Sequence, residues 1–198
     1  QLTMTPVLNF HGEVPITVTV EDNGGLSYDE NFVFTVNPVN DAPVINAIAA
    51  QNTEEDIPLI IDISGSDVDH GTHNPGDESI LSFSAVSSDT NLVMVSTTSG
   101  DGSGDGTITF DVQQDQYGSA DITVIISDNG GLSDSTETTL TIHPVNDAPI
   151  IATLLDTTTD EDIPLTITVY ASDVEGDAID LSVASSVEEV AVLLIDSQ

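Results

Sequence analysis

Not one Lys or Arg occurs in the 198 residues, against 35 Asp plus Glu. An average chain is about 25% charged with both signs represented, so about twenty basic residues are missing. Their absence excludes salt bridges to Lys or Arg, lysine Schiff-base chemistry and lysine–asparagine crosslinks. It also excludes a basic patch for phosphate, nucleic acid or an anionic membrane surface, and it leaves trypsin no cleavage site. Cysteine is absent too, so there is no disulfide and no thiol nucleophile. Tryptophan is absent and the aromatics are five Phe and three Tyr. All eight lie on or beside predicted strands or turns, which reads as core packing rather than as platforms for a sugar. No apolar run approaches the ~18 residues of a membrane span, and no signal peptide is visible, so no membrane insertion is expected. Gln1 is not a natural start. The chain reads as an interior piece of something longer, its export signal lying elsewhere.

What is present is a formal charge of −35 with nothing in the sequence to cancel it. Such a chain repels itself, and the natural counter-charge is a bound cation. Asp-rich loops with oxygen-only ligands suit Ca²⁺. Acidity that merely keeps a protein soluble in a salty medium accounts for the composition equally well.

Four motifs recur at one spacing. Val-Asn-Asp-Ala-Pro begins at Val39 and Val145, Asp-Asn-Gly-Gly-Leu-Ser at Asp22 and Asp128, Glu-Asp-Ile-Pro at Glu55 and Glu161, and Ser-Asp-Val at Ser66 and Ser172, each pair 106 positions apart. One shared spacing makes this a repeat. Between the landmarks, Ile122, Val124 and Ile126 alternate with Thr123, Ile125 and Ser127, as Ile16, Val18 and Val20 do with Thr17, Thr19 and Glu21. Period-2 alternation rich in Val, Ile and Thr predicts half-buried antiparallel strands. Asn-Gly-Gly between two such strands predicts a hairpin with a primed turn. About seven short strands per ~100 residues predict an all-β fold, a tandem array of seven-stranded antiparallel Greek-key sandwiches of immunoglobulin type.

The domains are read as residues 1–39, the C-terminal half of a repeat; 40–146, a complete repeat with its N-terminal linker; and 147–198, the N-terminal half of a third. Leu2 and Met4 fall on Ile108 and Phe110, while Gly76-Asp77 aligns with Gly176-Asp177 at an offset of 100, because the third repeat lacks six residues. Joined end to end, the two partial repeats make one sandwich lacking only the loop Ser99 to Gly106. Neither half alone would cover its core face or its strand edges. A window on a longer continuous repeat chain and head-to-tail pairing between separate chains both fit.

Glu-Asp-Ile-Pro, Asp-x-Asp, Asp-Asn-Gly-Gly-Leu-Ser and Pro-Val-Asn-Asp-Ala-Pro, in that order, resemble the bacterial cadherin-like tandem repeat of giant adhesins and other large surface proteins. In the animal cadherins, distant relatives of that family, calcium sits at each junction between domains. The resemblance implies a first junction built from Asn40, Asp41, Glu55, Asp67, Asp69 and Asp128, with Asp77 as a weaker candidate. It implies a second from Asn146, Asp147, Glu161, Asp173, Glu175 and Asp177, whereas Asp22 would serve a junction upstream. The animal linker is shortened here and its Leu-Asp-Arg-Glu motif is missing, with Asn9 and Asp115 in that region as weak substitutes. Fewer ions per junction are therefore expected. Any one of these Asp residues also reads as a plain turn former.

The remaining motifs carry less. Gly100 to Gly106 reads as a flexible connection, with Asp101 and Asp105 as alternative calcium ligands. His70 and His73 lie beside Asp69 and Asp77, where a solvated loop is the simpler reading than a transition-metal site. His11 and His143 align with Tyr117 and Asn37, so neither position demands imidazole. No Gly-x-Ser-x-Gly elbow or phosphate loop is present, and no enzyme is expected. The resulting expectation is an extracellular, cell-surface structural or adhesive protein. It would be a calcium-stiffened repeat array or filament linking cells or matrix. Its partners would be neighbouring repeats, a homopolymer formed by strand complementation, or a polysaccharide or cell-surface ligand. A calcium-dependent polysaccharide-binding module and a passive stalk for a distant domain are the alternatives.

Overall fold

The computed structural model describes residues 1–70 and 80–187, in two compact units, Gln1–His143 and Pro144–Gln198. Among the described residues every regular element is a β-strand. The first unit opens with a hairpin of β1 (Gly12–Glu21) and β2 (Ser27–Val36). The complete repeat follows as β3 (Val44–Ile45), β4 (Gln51–Glu54), β5 (Leu59–Ser66), β6 (Ser82–Ser87), β7 (Val93–Ser99), β8 (Asp105–Val112), β9 (Gly118–Ser127) and β10 (Ser133–His143). These form two four-stranded sheets, in the orders β4-β10-β9-β6 and β3-β5-β8-β7. The expected seven strands are there, the first of them split between the sheets. Its opening part, β3, pairs antiparallel with β5, and its closing part, β4, pairs parallel with β10. Passing one strand from sheet to sheet ties the sheets together and covers an edge of each.

The period-2 pattern sets the core. Ile122, Val124 and Ile126 are fully buried on β9, in one core cluster with Leu140 of the neighbouring β10 and with Ile108 and Phe110 of β8 in the other sheet. The aromatics follow the core expectation only in part. Phe83 and Phe110 are buried, whereas Tyr28, Tyr117 and Tyr170 stand in solvent.

Two local expectations are corrected. The Asn-Gly-Gly hairpin is not a two-residue primed turn. Gly25 N–H donates to the Asp22 carbonyl at 3.1 Å, Asp22 N–H to the Leu26 carbonyl at 2.9 Å, and positive φ falls on Gly25 (81°) but not on Asn23 or Gly24. This is the three-residue loop in which a type I turn is followed by one left-handed glycine. Gly131 (92°) repeats it. The glycine loop 100–106 is also no loose connection. Gly65 N–H donates to the Gly104 carbonyl at 2.8 Å and Leu81 N–H to the Gly102 carbonyl at 3.0 Å. Gly102 and Gly104 are buried, and a Cβ on Gly104 would collide with the Gly65 carbonyl. The glycines are there for close backbone approach.

In the second unit, β11 (Ile150–Ile151) pairs antiparallel with β12 (Ala171–Ser172). This reproduces the β3–β5 pairing of Val44 with Ser66 and Ile45 with Gly65, 106 residues on. The repeat is also written in backbone strain. Asn9 (60°) matches Asp115 (55°), and Asp56 (62°) matches Asp162 (65°), all at positive φ.

Candidate functional site

The antiparallel pairing of β3 with β5 sets the residues just before one strand beside those just after the other. Asn40 and Asp41 thereby meet the Asp67–Asp69 loop. Asp41 N–H donates to Asp69 Oδ2 at 2.7 Å, and Asp69 N–H donates to Asp67 Oδ1 at 2.8 Å. The β9–β10 turn arrives at the same place. Asn40 Nδ2 donates to Asp128 Oδ2 at 2.8 Å, while Leu132 N–H donates to Asp128 Oδ1 at 2.7 Å. Five of the residues expected at the first junction, Asn40, Asp41, Asp67, Asp69 and Asp128, are brought together. Asn9 adds to them, since it lines a cleft of about 470 Å³ with Asp41, Val44, Ser66 and Asp67.

Burial pushes the Asp128 carboxyl up, but the hydrogen bonds from Asn40 and from the N–H groups of Leu132, Gly131 and Gly130 outweigh it. The carboxyl is held below the ordinary aspartate value. A depressed folded pKa contributes stability that is complete above the unfolded value, about 3.9, and is lost as pH falls through the folded value. Asn40→Ala is therefore expected to reduce the steepness of the acid limb below about pH 4, as read by urea unfolding across that range. The turn glycine Gly130 has a second duty, because a Cβ there would collide with the Asn40 side chain. Gly130→Ala should displace Asn40 from Asp128 and cost about 1.5–3 kcal/mol, the range for a hydrogen bond to a charged group, measurable as a shift in the urea midpoint.

Glu55 does not join this group. Its N–H donates to the His143 carbonyl at 2.9 Å, at the far end of β10 from the Asp128 turn. The β4–β10 register, with Glu54 beside His143, carries it there. Glu55 is 1% exposed. In a chain with no Lys or Arg its charge is balanced by hydrogen-bond donors or by a bound cation. Asp56 and Asp115 belong to the same pole, Asp115 N–H donating to Asp56 Oδ1 at 3.1 Å. The resemblance offered Asp115 only weakly and Asp56 not at all. Asp56 stands in the recurring Glu-Asp-Ile-Pro motif, and both aspartates take positive φ beside strand ends, 62° and 55°.

The second unit repeats the first arrangement by itself. Asp147 N–H donates to Glu175 Oε2 at 3.1 Å, and both Glu175 N–H and Asp177 N–H donate to Asp173 Oδ1 at 3.1 Å. Asn146 Nδ2 donates to the Asp147 carbonyl at 3.1 Å, as Asn40 does to Asp41 at 3.3 Å. Glu175 thus replaces Asp69 with the backbone contact kept. Its Oε1 is buried and accepts no hydrogen bond among the described residues. Glu161 is exposed and by repeat position matches Glu55, not the Asp173 group. Asp22 accepts from Gly24 and Leu26 N–H at 2.8 and 3.0 Å, a turn role. Asp101 likewise accepts from Ser103, whose side-chain and N–H bonds lower its pKa. His73 and Asp77 lie outside the described residues.

As donors, both sets are all oxygen and rich in carboxylate, and the second contains a buried carboxylate oxygen with no donor. That chemistry fits Ca²⁺, which takes six to eight oxygens from carboxylates, amides and carbonyls. Asn40, Asp41, Asp67, Asp69 and Asp128 would hold one ion, and Asn146, Asp147, Asp173, Glu175 and Asp177 another. What an ion would supply is a positive charge binding linker to loop.

The sequence pattern described as bacterial Ig domain matches residues 40–142, just over half the chain. No curated protein matches. Among solved structures, human CDH23 EC21–23 is 22% identical with a TM-score of 0.49, over 82% of this chain and 54% of that one. The extracellular cadherin domains 1–5 of protocadherin gamma B2 are 19% identical, TM-score 0.49, over 84% and 32%. Domains 4 and 5 of the S-layer protein SbsC are 14% identical, TM-score 0.38, over 67% and 58%. The chain spans less than two thirds of each of these structures.

Proposed function

Since the chain belongs to the bacterial Ig domain family, we propose that it is a structural segment of a bacterial surface or secreted protein, a repeat array stiffened at its linkers by calcium. The observation that carries this reading is the recurrence of one contact. A linker aspartate N–H, Asp41 or Asp147, is bonded to the last acidic residue of the Asp-x-Asp/Glu loop, Asp69 or Glu175, within an all-oxygen cluster. Carboxylates gathered this way in a chain with no Lys or Arg repel one another. A divalent ion converts that repulsion into a clamp between linker and loop. An array of such clamps holds successive repeats at fixed angles, which suits a rod or filament that spaces or links cells and matrix. Partners in this reading are neighbouring repeats and a surface or polysaccharide ligand at some other point of the array.

Small-angle scattering of the 198-residue chain tests it. Calcium should lengthen the maximum dimension and sharpen the distance distribution, chelator should reverse this, and Asp67→Asn with Asp69→Asn should weaken the response. A curve indifferent to calcium would leave the acidic motifs as turns, and chelator-sensitive binding to a glycan array would then favour the polysaccharide-binding reading.

A further inference from the structure

The complete repeat is entered at Asn40 and left at His143, with further chain on both sides, so tension along the chain passes through it. The two points lie at opposite poles, Asn40 bonded to Asp128 and His143 to Glu55. At the leaving end, β10 is held by β9 all the way from Ser133 to Ile142. At the entering end the chain is held in three stages. Asn40 and Asp41 are bonded to Asp128 and Asp69. Then β3 pairs with β5 at Val44 and Ile45, helped by Ile45 N–H to Asp134 Oδ2 and Asn46 N–H to the Ser64 carbonyl. Last comes β4, paired parallel with β10 from Gln51–Leu140 to Glu54–His143. One further bond extends that pair at each end. Thr138 Oγ1 donates to the Ala49 carbonyl at 2.8 Å, and Glu55 N–H to the His143 carbonyl at 2.9 Å. Thr138 is buried, which keeps water from competing for the first of these.

We propose that the β4–β10 pair is a mechanical latch that keeps the repeat folded when the chain is pulled from its two sides. The parallel sense decides this. Tension drags β4 toward its N-terminal end and β10 toward its C-terminal end, and in parallel strands those are opposite directions along one axis. The strands must slide past each other, so the evenly spaced bonds between them are strained together. Peeled apart from one pole, the same bonds would yield one at a time. Each nets only about 0.5–1.5 kcal/mol, so the strength of the latch lies in the direction of loading. The shorter β3 slides first and frees residues 44–50, about 20 Å of chain. Failure of the latch then frees residues 51–143, about 300 Å. Its use in the cell rests on the repeat-array reading above. The latch holds no residue of the two acidic clusters and is tested in chelator, so its failure and that of the calcium reading are separable.

Single-molecule force spectroscopy of the 198-residue chain in chelator is the test. Because the chain has no cysteine, two introduced thiols fix the pulling axis. Pro38→Cys with Pro144→Cys loads the path the chain itself follows, whereas Ile57→Cys with Pro144→Cys grips both latch strands at one pole and peels them. All three positions are exposed. The first axis should need several times the force of the second, in a protein of the same fold. Thr138→Val keeps a buried side chain of the same shape but removes the bond to Ala49. It should lower the force on the first axis and leave the peeling force as it was, because peeling starts at the other end of the pair. Asp134→Ala should weaken only the short early release. Equal forces on the two axes, or a Thr138→Val loss of the same size on both, overturns the proposal. So does a main release on the first axis far from ~300 Å.

Discussion

Calcium at a hundredfold excess over its dissociation constant is expected to raise the melting temperature of the chain by about 10–20 °C, and chelator to remove the gain. A ligand that binds only the folded state adds about 2.7 kcal/mol at that excess. One kcal/mol moves the melting point of a domain of 60–100 residues by about 4–8 °C. The specificity of the shift separates a site from general charge relief. A chain of formal charge −35 is stabilised by any salt that screens its self-repulsion. Sodium chloride at matched ionic strength should therefore give a small gain, which the Asp67→Asn, Asp69→Asn variant keeps. The calcium gain should shrink sharply in that variant, because it removes two of the carboxylate charges gathered at the first cluster and leaves the second cluster intact. Equal shifts with sodium and calcium would leave the acidic loops as turn formers on a highly charged surface.

Much of this was legible from residues alone, and the misplacement of Glu55 shows where legibility stops. Period-2 alternation around the Asn-Gly-Gly turns gave the paired strands, and the resemblance grouped Asn40, Asp41, Asp67, Asp69 and Asp128, which the structure brings together. Motif order, however, does not say which pole of a sandwich a residue reaches. In an antiparallel sandwich the chain changes pole with each strand. Asp41 precedes the first strand and Glu55 follows it, so they lie at opposite poles, and β5 then brings Asp67 back to the first. Counting on through β6 to β9 returns Asp128 to that pole and leaves Asp115, after β8, at the other with Glu55 and Asp56. Strand parity was available in the sequence, whereas the resemblance alone grouped the residues by motif. The double duty of Gly130 was not legible, because the approach of Asn40 is made by a residue 90 positions away.

The repeat also predicts that identical substitutions at equivalent positions will have unequal effects. Ile122→Ala removes a fully buried side chain from the centre of β9. Truncating a buried isoleucine to alanine costs about 2–5 kcal/mol, the spread reflecting how far neighbours close over the cavity. Its neighbours Phe110, Val124 and Leu140 are themselves fully buried and leave little room to relax, which places the expected loss in the upper half of that range. At about 4–8 °C per kcal/mol, the transition of the complete repeat should fall by tens of degrees. Ile16→Ala makes the same chemical change at the same point of the repeat, on a hairpin whose apolar face is open within the chain. Ile16 is half-buried and lies outside the core cluster of the complete repeat, so the substitution should lower that transition far less than Ile122→Ala does. Thermal melting of the two variants side by side reads this prediction. Equal losses in melting temperature would mean that β1–β2 is already packed into the core of the first unit, and the reading of that face as open would fail.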